Sequence, residues 1–171
     1  MNKPDSKNKQ KKCFDLAVHD KRKKIWLHQF VQFFGNEAWI PISIGLIAAH
    51  ARKNPNFNKH FEVMELQYER MDPQKIVAKY EDPSLLAFSV YIWNVNISLE
   101  VAQLAKKKFP GVLIVFGGPS APSGKVEAED YLRKHPFIDV LVSGEGETAF
   151  LELVLAMDDG KDLRNVESLS W

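Results

Sequence analysis

The sequence predicts a doubly wound α/β fold, a five-stranded parallel sheet in the order 2-1-3-4-5 with helices on both faces. Three observations lead there. Val112–Ser120 reads Val-Leu-Ile-Val-Phe-Gly-Gly-Pro-Ser, an apolar run the length of one strand, as expected inside a parallel sheet covered by helices. Ile138–Glu147 repeats the pattern, a strand ending in glycines that opens a helix. From Ile25 onward, strand-like and helix-like periodicities alternate.

The aromatic and branched stretch Ile25–Phe34 is expected as the first strand. Gly35–Trp39 turns, and Pro41 stands near the start of a helix over Ile40–Arg52, with Ile40, Ile44, Ile47, Ala48 and Ala51 on one face. Phe61–Gln67 is expected as the second strand, and Asp72-Pro73 opens a short helix to Tyr80. Ser84–Ile92 is the third strand, followed by a helix over Ile97–Lys108 capped by Asn96. A strand at Val112–Phe116, a helix at Lys125–His135, a strand at Ile138–Val142 and a helix at Glu147–Met157 complete the series, with Gly160 as the stop.

A chain of 171 residues, 45% hydrophobic, is long enough for one good core and short for two. It has neither a signal peptide nor an apolar run of the roughly 20 residues that a bilayer requires, so a cytoplasmic protein with no membrane partner is expected. Charge is uneven: residues 1–24 carry a net +6 and the remainder −5. That lead has little aromatic interleaving, which favours a solvated, flexible arm over a nucleic-acid-binding one. The expected organisation is a basic lead over 1–24, a ligand-binding domain over 25–160, and the start of a linker over 161–171. The single cysteine, Cys13, lies in the lead and leaves no disulfide framework or cysteine cluster.

In an open α/β sheet the ligand sits over the carboxyl ends of the strands, here the loops Gly35–Trp39, Tyr91–Asn96, Gly117–Gly124 and Ser143–Glu147. A phosphoacceptor domain would need acidic residues after strands one and three, where the chain reads Phe-Phe-Gly and Ser-Val-Tyr. A flavodoxin would need a hydroxyl-rich loop after strand one. Gly144-Glu-Gly146-Glu-Thr-Ala149 matches a loose dinucleotide pattern but follows the last strand, with no second half-unit.

The four loops together, Pro41-x-x-x-Gly45, Ser89-x-Tyr91-x-Trp93-Asn94, Gly117-Gly118-Pro119 and Gly144-Glu145-Gly146-Glu147-Thr148, resemble the N-terminal cobalamin-binding domain of cobalamin-dependent radical S-adenosylmethionine (SAM) enzymes. The resemblance covers roughly Ile25–Met157. It implies a flavodoxin-like or Rossmann-like sheet, with the corrin flat over the strand ends and the nucleotide tail in the crevice beside them. Trp39, Pro41, Ser89, Tyr91, Trp93, Asn94, Gly117, Gly118, Pro119, Ser120, Gly144, Glu145, Gly146 and Glu147 would then contact the cofactor.

For each of these residues a plainer role stays open. The Gly117–Gly118 pair would let the nucleotide tail lie against backbone, or simply make a tight turn stiffened by Pro119. The Ser89 hydroxyl would bond the tail or cap local backbone. Glu145 and Glu147 would accept from the corrin amide arms or only favour a helix start. Tyr91 and Trp93 would face the ring or pack in the core.

Related domains of mutases carry Asp-x-His-x-x-Gly after the first strand, and this chain has none. None of His19, His28, His50, His60 and His135 is expected at that strand end, so cobalamin is expected base-off and histidine-off, above Trp93 or a water. A Cys-x-x-x-Cys-x-x-Cys motif is also missing. The [4Fe-4S] cluster and SAM would therefore belong to a barrel domain present in cis or in trans, in a parent radical SAM methyltransferase or related enzyme. This chain alone is expected to hold cofactor and catalyse nothing. The alternatives are a free-standing corrinoid carrier or sensor, and a nucleotide-binding Rossmann-like domain.

Overall fold

The computed structural model of the chain describes residues 21–35, 37–38, 40–160, 166 and 168–171. The basic residues 1–20, Cys13 and His19 among them, and Trp39 lie outside the described residues. Strands β1 (Lys23–His28), β4 (Phe61–Val63), β5 (Pro83–Ser89), β6 (Leu113–Gly117), β7 (Val140–Val142) and β8 (Leu169–Ser170) form one sheet in the order β4-β1-β5-β6-β7-β8. The first five are mutually parallel, in the predicted 2-1-3-4-5 order. β8 pairs antiparallel with β7, so the stretch expected to begin a linker supplies a sixth strand at the sheet edge.

Strand periodicity decides which side chains go to which face. Trp26, Leu86, Phe88, Ile114 and Phe116 join Phe30 in a core roofed by α3 (Pro73–Ala78), α4 (Val95–Lys108) and α5 (Lys125–Lys134). Ile25, Leu27, Leu85, Ala87, Val115 and Val142 face α1 (Ile42–Arg52), α2 (Pro55–His60) and α6 (Gly146–Asp158). The fully buried Phe30, Phe88 and Phe116 each contribute about 2–3 kcal/mol of apolar burial. Lys106 ties α4 to the sheet by donating to the Val112 carbonyl (2.7 Å) and to Asp139, which accepts from the Ile114 N–H (2.7 Å).

Several element bounds differ from the sequence expectation. The first strand ends at His28, not Phe34, because the chain then leaves the sheet and follows 67–68 instead, through Gln29 N–H to the Gln67 carbonyl and Val31 N–H to the Tyr68 carbonyl (both 3.0 Å). Phe33–Phe34 (β2) and Glu37–Ala38 (β3) form a separate two-stranded ladder turned at Gly35, whose φ is +63°. The helix α2 was not expected: only Phe57 of its six residues is buried, so it shows no apolar periodicity. Its signal was the cap, Asn54, which accepts from the N–H groups of Asn56 and Phe57, with Pro55 at the first helical position. α4 starts at Val95, and the residue at its N-cap is Asn94 rather than Asn96.

Candidate functional site

A cleft of about 220 Å³ opens at the carboxyl ends of the strands, between the sheet and helices α1 and α6. The register shows why it exists. Ala87 sits between Leu27 and Val115 in one cross-strand row, and Ser89 pairs with Gly117, itself beside Val142, in the row above. Ala87, Ser89 and Gly117 are small and occupy the central strands, so the sheet surface is low where α1 and α6 cross it. Ile44 and Ile47 of α1 and Phe150 of α6 close the other side.

Nine of the predicted residues line this cleft: Ser89, Tyr91, Gly117, Gly118, Pro119, Gly144, Glu145, Gly146 and Glu147. Pro41, Trp93, Asn94 and Ser120 are not in its lining. Asn94 is fully buried, and its side chain is committed to backbone: its amide donates to the Phe30 and Ser89 carbonyls (both 3.1 Å) and its oxygen accepts from Tyr91 N–H (2.8 Å). It pins the loops after β1 and β5 together and has no group left for a ligand. Ser120 lies in the turn after β6, where its backbone N–H donates to the Val90 carbonyl. The sequence reading missed Ser43, Leu46, Ile47 and Phe150, because a helix residue over the sheet is marked as cleft lining only by the space beneath it.

Tyr91 and Trp93 stack on one another, with ring centroids 4.6 Å apart and planes 15° off parallel. The Tyr91 hydroxyl bonds Ser43 Oγ (2.7 Å), which anchors this loop to the first turn of α1. Arg70 holds the same loop from outside, donating from Nε to the Val31 carbonyl (3.0 Å) and from Nη2 to the Trp93 carbonyl. Pro41 has no side chain to cap α1, and the Gln29 amide oxygen does so, accepting from Ser43 N–H (3.1 Å). Ile42 and Leu46 of α1, and Ile92 and Trp93 of the loop after β5, are exposed apolar side chains, Trp93 at 37%; of these Leu46 lines the cleft.

The glycines have more than one cause. Gly118 has φ +99°, and a Cβ there would stand 2.9 Å from the Val90 carbonyl oxygen and 3.0 Å from its nitrogen. A Cβ on Gly117 would lie 3.3 Å from the Val142 carbonyl oxygen. The space that Gly118 leaves open is thus taken by the protein's own backbone, whereas at Gly117 a side chain would only be tight against Val142. Gly144 differs: its φ of +76° needs glycine, yet nothing lies within 4 Å of the absent Cβ.

His28 does end β1, contrary to its expected position inside a strand, but its ring points away from the cleft. Nδ1 bonds the Ala87 carbonyl (3.0 Å) and must therefore carry the proton, while Nε2 accepts from the Tyr80 hydroxyl (2.6 Å). Burial lowers its pKa to about 4 and pushes the Tyr80 phenol up. His50, His60 and His135 lie late in α1, at the end of α2 and just beyond α5, at the helix ends remote from the cleft. Among the described residues no histidine lines the cleft.

An open, mostly parallel α/β sheet with a deep apolar cleft and glycine-rich loops at its strand ends defines a ligand-binding domain of the doubly wound class. The family model described as B12 binding domain matches residues 36–154, and the chain belongs to that family. It is 36% identical, over 143 residues and 82% of its length, to 2-(S-pantetheinyl)-carbapenam-3-carboxylate methyltransferase of Streptantibioticus cattleyicolor, of which it covers 21%. It is 32% identical over 133 residues to the cobalamin-dependent radical SAM methyltransferase TokK of Streptomyces tokunonensis, covering 77% of this chain and 19% of TokK. The apo structure of OxsB, a cobalamin-dependent S-adenosylmethionine radical enzyme, superposes with a TM-score of 0.65 at 17% identity, covering 88% of this chain and 21% of OxsB. The chain thus spans about a fifth of the length of these proteins.

Proposed function

We propose that this chain binds cobalamin with its benzimidazole off the cobalt and no histidine beneath the metal, as the cofactor-holding part of a radical SAM methyltransferase. The observation that carries the reading is the cleft at the carboxyl ends of the strands, lined between sheet and helices where Ala87, Ser89 and Gly117 are small. A base removed from cobalt needs a mostly apolar seat of this kind. Ser89 adds a polar group to it: the residue is 8% exposed, and no side-chain hydrogen bond is found for it among the described residues.

In this reading the loops of Gly117–Pro119 and Gly144–Glu147 line the tail's path, with Glu145 and Glu147 as acceptors for amide arms. The stacked Tyr91–Trp93 pair and the exposed Ile42, Leu46 and Ile92 are assigned to a rim that takes the apolar face of the corrin. Trp39 and Pro41 are assigned to the same rim. Once bound, the cofactor supplies a cobalt able to carry a methyl group. This chain's residues bind and orient it, exclude water from its lower face and withhold a histidine. The [4Fe-4S] cluster, SAM and the substrate site are assigned to a barrel domain in cis or in trans, and 25–160 to the cobalamin unit. No helix among the described residues is long and apolar enough to cross a membrane.

The test is anaerobic titration of the full chain with hydroxocobalamin, then desalting, reduction and spectroscopy of the retained cofactor. Retention in a base-off form supports the proposal. A spectrum with benzimidazole or imidazole nitrogen on cobalt overturns the ligation, and loss of all cobalt on desalting overturns the cobalamin reading.

A further inference from the structure

We infer that the cleft selects among corrinoids by their lower base, taking a methylated benzimidazole and rejecting a purine; this rests on the cobalamin reading above. The floor of the cleft is the row Leu27, Ala87 and Val115, faced by Ile47 and Phe150, and none of these side chains can hydrogen-bond. Their strands β1, β5 and β6 are interior, with partners on both sides, so the floor's backbone groups are engaged in the ladders. The Ala87 carbonyl also accepts from His28 on the far face. One row higher stands the Ser89 hydroxyl, the sole hydroxyl that the strands give to the cleft among the described residues; no side-chain hydrogen bond is found for it there, and it is not among the buried unpartnered atoms, so it is open to the cleft. Ser43, on α1, is already bonded to Tyr91.

A dimethylbenzimidazole removed from cobalt presents one free ring nitrogen, which accepts one hydrogen bond, and otherwise a hydrocarbon edge with two methyl groups. That is the complement of a single donor above an apolar floor. Adenine in the same seat would bring an exocyclic amine and further ring nitrogens against Leu27, Ala87 and Val115, where they would have no partner. Burying polar groups unpaired costs enough to weaken binding about ten- to a hundredfold.

The experiment compares the affinity of the full chain for three ligands: cobalamin, the cobamide carrying adenine in place of dimethylbenzimidazole, and cobinamide, which lacks the nucleotide. Cobalamin should bind about tenfold or more tightly than either of the others. Val115→Thr, which places a hydroxyl on the floor at nearly the same volume, should narrow the gap between cobalamin and the adenine cobamide. Ser89→Ala should weaken cobalamin severalfold and leave cobinamide unchanged.

Equal or inverted affinity of the wild-type chain for the two cobamides overturns the selectivity. Cobinamide binding as tightly as cobalamin shows that the base does not occupy the cleft, which overturns the inference while the corrinoid reading stands. If no corrinoid binds, the cobalamin reading fails and takes this inference with it. The wild-type comparison decides the question even if a variant does not fold.

Discussion

His28 illustrates how one residue's surroundings overrule its position. It ends the strand after which related domains place a ligating histidine, yet strand alternation sends its ring to the face opposite Leu27 and the cleft, into a stack on Phe88 with centroids 4.3 Å apart. Buried, it keeps a pKa of about 4 against an ordinary 6.5. Between those values the unfolded chain binds a proton that the folded chain refuses, so stability falls as pH drops from about 6.5 to about 4, by up to about 3 kcal/mol. Urea midpoints across that range should show the slope, and His28→Phe should flatten it; an unchanged slope would contradict a buried neutral ring. Gly118 gives the second prediction at this scale. Gly118→Ala forces both a left-handed φ and a contact with Val90 backbone, and should cost on the order of 2–4 kcal/mol. Gly144→Ala meets no neighbour and should cost about 1 kcal/mol. Chemical denaturation of the two variants separates a packing glycine from a purely conformational one. Gly160, the stop after α6, also has φ +63°, so a side chain there is strained as well.

Among the elements, the loop from β5 into α4 is the one most dependent on tertiary contacts. Asn94 stands at the N-cap position of α4 but makes no side-chain cap bond to that helix; its amide instead joins the loop to Phe30. Asn94→Ala leaves the Tyr91 N–H and the Phe30 and Ser89 carbonyls without that partner. We expect a loss of about 2–4 kcal/mol, together with faster hydrogen exchange over the Tyr91–Trp93 loop than at β6. A variant as stable as wild type, with the loop equally protected, would assign the anchoring to Arg70 and Ser43 instead. Most elements here were legible from sequence pattern, since β5 and β6 are short apolar runs and α4 recurs with one apolar face. The short α2 was not, and neither was β8, whose Leu169–Ser170 is two residues long and forms a strand only because the β7 edge is there to pair with.

At the scale of the whole molecule, binding and folding are linked, because a cleft formed by two strand rows and two helices exists only in the folded chain. Ligand at a hundred times its Kd should stabilise the fold by about 2.7 kcal/mol, a rise in Tm of roughly 5–10 °C for a chain of this size. Thermal melts with increasing hydroxocobalamin read this directly. A Tm that does not move at saturating ligand would mean that the cofactor does not bind this fold.

The sequence by itself determined the doubly wound class and strand order, because apolar runs that end in glycine and alternate with amphipathic helices admit few other arrangements. It also marked nine residues that the structure gathers at the cleft, since in such a sheet the strand ends are where loops converge. It did not determine which of the candidate residues line the cleft and which serve the fold. Asn94 turned inward to satisfy backbone, Gly118 gave its space to Val90, and Ser43, Ile47 and Phe150 came in from helices. Those outcomes depend on cross-strand register and on where each helix crosses the sheet, contacts between residues far apart in the chain that no local pattern records.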